Sequence, residues 1–248
     1  MKSFTTLLKN ELKLNIRDMN MVIFAVIMPL VVLFILGFIY GTKPAADGTA
    51  YTFMEQSFGA LCCISVCAGG LMGLPLVVSE YRERKILKRF QVTPVSPTKL
   101  LVVEFVIYVI YCIVSMLTLF PVAMLFWKIK IHGSFLLFIG SWLLTMVSTL
   151  SIGLMVGGIA KNTKTAGVIA SILYFPMLIF SGTTLPMETM PEIMQKVIRV
   201  FPLTQGIILM KNSFLGISEG NAWLSVAVMA GVTIICTGLA VRFFKWEA

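Results

Sequence analysis

Long apolar runs broken by short polar segments make up most of this chain, and the runs predict its elements. The first is Met21 to Tyr40, followed by Ser57 to Ser79, Leu100 to Trp127, Phe135 to Ala160, a fifth over 165–185 and a sixth from Asn221 to Phe243. A helix rising 1.5 Å per residue needs about 20 residues to cross a hydrocarbon core of about 30 Å. Each run is therefore read as one membrane-spanning helix, the fifth reaching that length only when the flanks of Val168 to Ser181 are counted. Pro29 inside the first run predicts a kink. Small residues fill the second (Gly59, Ala60, Ser65, Ala68, Gly69, Gly70, Gly73), and the pairs Gly69/Gly73 and Gly153/Gly157 have the spacing that lets helices approach closely in lipid.

The polar breaks predict the rest of an all-α, polytopic fold, a single transmembrane domain over 1–248. Residues 1–20 place Lys9, Lys13 and Arg17 on one stripe beside Leu8, Leu12, Ile16 and Met19, as in a helix lying in the membrane interface. Glu11, Asn15 and Asp18 interrupt that pattern. The segment is too polar for the core of a signal peptide and is expected to be retained. Gly41 to Gln56 reads as a loop, and Lys128 to Ser134 and Ala160 to Gly167 as shorter ones. Ser181 to Gly216 is different: Pro186, Pro191 and Pro202 punctuate apolar residues at helical spacing (Ile193, Val197, Val200, Phe201). That predicts short, broken helices dipping into the membrane edge, an external re-entrant hairpin over 186–216.

The densest polar break runs from Glu80 to Pro97. Between Glu80 and Lys99, Arg82, Arg84, Lys85, Lys88, Arg89 and Lys99 stand against only Glu80 and Glu83. As a helix over 80–91 it gathers Ile86, Leu87 and Phe90 into an apolar anchor ringed by the basic residues, with Pro94 and Pro97 to stop it. Simple charge anchoring does not require apolar residues amid the charges, so this handle is read as a docking surface.

Composition agrees with the pattern. Hydrophobic residues make up 58% and charged residues 12%, with a mean hydropathy of +0.94, against about 25% charged in soluble proteins. The net charge of +9 comes from short clusters flanking apolar runs, which set membrane orientation, and nucleic-acid binding is excluded on that ground. The leader, the handle, Lys161/Lys164 and the tail hold 14 basic residues on one side of a six-span path, and the loops around Lys43, Lys128/Lys130 and Lys196/Arg199/Lys211 hold 6 on the other. Both termini and the handle are thus assigned to the cytoplasm. Glu104 falls about a turn beyond Lys99, within reach of water or a basic partner.

Little catalytic raw material remains. The five cysteines all lie in apolar runs and read as core residues, and a single histidine, His132, leaves no set of metal ligands. No GxxxxGK[ST], GxSxG or HExxH occurs; GGIAKNTKTAG has the wrong spacing for a phosphate loop. The chain is not expected to be an enzyme or to bind a cofactor itself.

Two segments together carry a family resemblance. In the handle they are Glu80, Glu83, Leu87, Lys88, Thr93, Pro94, Val95 and Ser96; in the late segment, Ser181, Gly182, Pro186, Pro191 and Pro202. With the basic leader and six runs, they make the chain resemble the permease subunit of type-2, exporter-type ABC transporters, departing from the pattern at Ile86, where a small residue is usual. The resemblance implies a half-transporter: two permeases, identical or related, each docked through its first cytoplasmic loop on a separate ATPase subunit that binds ATP and Mg. That loop, the coupling helix, comprises Glu80, Arg82, Glu83, Arg84, Lys85, Ile86, Leu87, Lys88, Arg89, Phe90 and Pro94. It implies an external gate around Ser181, Gly182, Pro186, Pro191 and Pro202. It also implies a path between the permeases, for which Ser65, Met72, Tyr174, Phe175, Met177 and Phe180 are the candidate lining residues. The expected cargo is a hydrophobic or amphipathic molecule such as a drug, an antimicrobial peptide or a lipid-like compound, exported across the plasma (inner) membrane. A secondary transporter or channel needing no ATPase is the alternative; it predicts membrane-buried ionisable residues and inverted repeats, of which Glu104 alone meets the first. A membrane scaffold is a third.

Overall fold

Thr52 opens the helix on which most of the others pack. Its hydroxyl accepts the Glu55 N–H while the Glu55 carboxylate accepts the Thr52 N–H at 2.8 Å, a reciprocal cap that satisfies two otherwise orphaned donors. The computed structural model describes residues 2–17, 19–41, 43–45, 50–86, 97–181, 198–218 and 220–243. Among these the chain is helical, with one isolated bridge between Pro44 and Thr52. In chain order we label α1 (Lys2–Arg17), α2 (19–39), α3 (Phe53–Glu83), α4 (Pro97–Trp127), α5 (Phe135–Ile159), α6 (Thr163–Phe180), α7 (Pro202–Leu215) and α8 (Ala222–Phe243). Helices α3, α4, α5, α6 and α8 are long and apolar enough to cross a membrane, and within α2 Ile23–Ile39 is a shorter apolar stretch. This is a multi-pass membrane protein.

The centre is α3. Of its most apolar stretch 83% is buried, against 17% for α6 and α8, because α3 alone touches α2, α4, α5, α6 and α7. Small side chains make that possible. A Cβ on Gly153 of α5 would lie 1.9 Å from the Gly70 carbonyl oxygen of α3, and one on Gly157 would lie 2.8 Å from Val78 Cβ. Both pairs read from the sequence lie at such contacts, for Gly69 and Gly73 face Tyr108 of α4, and Gly73 also faces Met21 of α2.

At Pro29 and again at Pro75 the chain widens into a π turn just upstream, over Ile23–Ile27 and Ala68–Gly73. Proline has no N–H, so the carbonyls of Ala25 and Leu71 lose their usual partners; Met28 N–H instead reaches Ile23 O and Leu74 N–H reaches Gly69 O, five residues back. The two π turns pack on one another.

Helix α7 is the described helix of the late segment. Pro202, Leu203, Thr204, Gln205, Gly206, Ile207, Leu209, Met210, Phe214 and Leu215 are buried, with Gly206 on Thr145 of α5 and Met210 on Gly59 of α3. The described part of the late segment is thus a short helix held between α3 and α5. Gly216 ends it at φ +71, and the carbonyls of Ser213 and Phe214 are capped by N–H groups of His132, Gly133 and Ser134. Phe58, Phe138 and Phe214, from α3, α5 and α7, form a ring cluster with centroids 5.3 to 6.0 Å apart.

Candidate functional site

Helix α3 does not stop where the second apolar run ends. It continues through Glu80 to Glu83, closes with Arg84 N–H on Glu80 O, and leaves through Lys85 in the left-handed region at φ 54. A single separate helix over 80–91 is therefore not what forms: its first turn is the last turn of α3, and the break falls at Arg84–Lys85. The cause is tertiary, since Tyr81, Arg82 and Glu83 each find a partner that keeps them helical. Glu80 adds an exposed i,i+4 pair with Arg84 at 2.8 Å. Ile86 is half-buried; Leu87, Lys88, Arg89, Phe90 and Pro94 lie outside the described residues.

Arg82 and Glu83 reach the turn between α5 and α6. The guanidinium donates from Nη1 to Ala160 O and from Nη2 to Gly158 O, both at 2.8 Å, where the last carbonyls of α5 have no helical donor. The Glu83 carboxylate accepts the Thr163 N–H at 2.9 Å and its hydroxyl at 2.5 Å, at the first residue of α6. Each charge has the sign that its helix end favours. Asn162 caps α6 itself, accepting the Thr165 N–H at 2.8 Å.

Tyr81 turns the other way. Its hydroxyl lies 2.9 Å from Glu104 Oε1 and 3.0 Å from Glu11 Oε2, and Asn15 Nδ2 is 3.5 Å from Glu104 Oε2. Glu104 is fully buried and has no basic partner among the described residues; its partners are the Tyr81 hydroxyl of α3 and, at longer range, Asn15 of the leader. Glu11 and Asn15, which break the apolar stripe in sequence, lie on the inward face of α1 with Phe4, Leu7, Leu8 and Leu12, whereas Ile16 and Met19 are exposed. The last turn of α3 is thereby joined to α1 and α4 on one side and to α5 and α6 on the other.

At the opposite end of α3, Glu55 is buried and also accepts the Lys130 N–H at 2.8 Å, with His132 Nε2 at 3.5 Å. Thr52-x-x-Glu55 before an apolar run is a readable capping signal, though the segment reads as loop on composition alone.

The candidate path residues do not share one open face. Ser65 is buried with its hydroxyl on Cys62 O, and Met177 is buried; Met72, Tyr174 and Phe180 are half-buried; Phe175 is exposed, edge-on to Tyr174 at 5.3 Å. With Val168, Ile172 and Ile179, Phe175 makes an exposed apolar stripe on α6. Of the gate residues, Ser181 is buried at the end of α6 and Pro202 begins α7, while Gly182, Pro186 and Pro191 lie outside the described residues. A cavity of about 380 Å³ opens elsewhere, among α3, α4, α5 and α8, lined by Val78, Phe105, Leu154, Thr237 and Val241 among others. No cluster of three metal-ligating side chains occurs among the described residues.

Comparison with known proteins gives the arrangement its context. The ABC-2 type transporter family matches residues 2–215. The chain is similar to the inner membrane transport permease YhhJ of Escherichia coli K12, 26% identical over 147 residues, covering 59% of this chain and 39% of that one. It is also similar to the probable multidrug ABC transporter permease YbhS of the same organism, 25% identical over 158 residues, covering 63% and 42%. The matches span less than half the length of these relatives. The leader, the central helix, the handle's base and the buried late helix all fall within the family match, and the chain belongs to the ABC-2 type transporter family.

Proposed function

We propose that this chain is the membrane-spanning permease subunit of an ATP-driven exporter. It crosses the membrane six times, with α2 as the first crossing, places both termini and the handle in the cytoplasm, and works as a pair with an identical or related permease. Each permease docks through the handle on a separate ATPase, which holds ATP and Mg. The family match across 2–215 is the observation that carries the reading. The joined base of the handle supports it, since a rigid lever transmits a push that a free loop would absorb. For the ATPase to drive transport, its ATP-bound and ATP-free states must differ in how well they dock on the two permease conformations. A hydrophobic or amphipathic cargo, leaving by alternating access, suits apolar helices and a relative named as a multidrug permease.

A secondary transporter is the second reading, because Glu104 is an ionisable group buried in a span. Its hydrogen bonds to Tyr81 and Asn15 favour an anchor for α1 over a mobile carrier. Uptake of a lipophilic cationic dye by inside-out vesicles carrying the permease and its ATPase distinguishes them. The exporter accumulates dye with ATP and Mg and no imposed gradient; a secondary transporter does so with a proton gradient and no ATP.

A further inference from the structure

Adjacent residues of opposite charge at the end of α3 hold the end of one helix and the start of the next. Arg82 binds the last carbonyls of α5, and Glu83 binds the first N–H and hydroxyl of α6. Only residues 160–162 separate these helices, so both side chains grip one tight turn. Neighbouring residues on a helix point about 100° apart, and two grips at that angle resist rotation as well as sliding, where one would act as a pivot. Packing adds to this for α5, whose Gly153 and Gly157 touch α3 directly. Helix α6 also packs on α3, where a Cβ on Gly167 would lie 3.6 Å from Leu76, but few of its side chains are fully buried and it packs little on α5, so the Glu83 grip is its polar tie to α3.

We infer that Arg82 and Glu83 are positioning residues that carry movement of the handle into α5 and α6, so that the first cytoplasmic loop drives the fifth span as well as its own two flanking helices. The inference rests on the exporter reading, in which an ATPase moves the handle. On that reading Glu83 is the more decisive of the two, since it is the bond that reaches α6. The charge signs are part of the device, because a swap would set each group against the helix end that repels it.

The test uses the full permease bound to its ATPase in membranes. The five native cysteines are buried, so a cysteine placed at the exposed Ile172 of α6 or Val102 of α4 reports through its rate of maleimide labelling, measured with and without ATP, Mg and vanadate. In the otherwise native complex both rates should change with ATP. In Glu83→Ala, and in Thr163→Val, which removes the shorter of the two bonds, the ATPase should remain bound and the Val102 response persist while the Ile172 response is lost or sharply reduced. Persistence of the Val102 response is what a merely unfolded variant could not give. A full Ile172 response in Glu83→Ala with the ATPase bound overturns the inference and leaves the exporter reading standing. No ATP response at either site in the native complex overturns the exporter reading, and the inference with it.

Discussion

A Cβ on Gly153 would meet the Gly70 carbonyl oxygen at 1.9 Å, a clash with backbone that no rotamer relieves. Gly153→Ala is therefore expected to destabilise the protein by about 1–3 kcal/mol, the range for overpacking a filled core. Gly140, also inside α5, has nothing within 4 Å of the same position, and Gly140→Ala should hold or slightly raise the thermal midpoint in detergent, since Ala favours a helix interior over Gly, which makes the pair a controlled comparison. At Tyr81 one hydroxyl hydrogen stands between two carboxylates. Tyr81→Phe should loosen α1 from α4, seen as faster maleimide labelling of a cysteine placed at Leu12, with the family fold retained. Neither partner was legible from Tyr81, because Glu11 lies 70 residues away in sequence and Glu104 lies 23. In the leader, Glu11 and Asn15 read as defects in an amphipathic stripe because periodicity scores polarity, whereas their role is to meet a buried acid that only the fold brings near.

Among the elements, the long spans were readable because lipid demands unbroken apolar helices. The predicted run from Phe135 to Ala160 ends within one residue of α5 (Phe135–Ile159), and Leu100 to Trp127 is contained in α4. Helix α7 was less legible: the prolines and mixed charges of 181–216 do not show which neighbours it packs on, and its burial comes from Gly59 and Gly206, whose missing side chains let it enter between α3 and α5. The handle was misread at its start for a similar reason, since local charge suggests a new helix at Glu80 while the grips of Tyr81, Arg82 and Glu83 prolong α3. Glu55 ties the opening of α3 to the 128–134 loop through the Thr52 and Lys130 N–H groups. Glu55→Ala should cost about 1–3 kcal/mol, the range for losing hydrogen bonds to a charged group, and raise hydrogen exchange at Lys130 and in the loop around it.

For the whole molecule, α3 is a shaft with polar joints at both ends and packing along its length. Its Tyr81–Glu83 end engages α1, α4, α5 and α6, so on the proposed exporter reading a push on the handle is distributed through the bundle. On a six-span path the basic residues, 14 on one side and 6 on the other, predict that the termini and the handle face the cytoplasm. A reporter enzyme active only in the cytoplasm should work when fused at Lys85 and fail when fused at Lys130; the reverse result would invert the topology. Cargo was the least legible property, because apolar side chains facing lipid, a partner permease or a substrate look alike in sequence, and the six path candidates fall on several faces.

The central claim is that the handle docks this permease on a separate ATPase, and copurification tests it most directly. Full-length permease extracted in mild detergent should bring an ABC-type ATPase subunit with it, and Leu87→Asp and Phe90→Asp, which put charge into the apolar anchor, should each lose the ATPase while the permease still folds and inserts. Capture of no ATPase by the native chain, or equal capture by both variants with transport unchanged, would contradict the account.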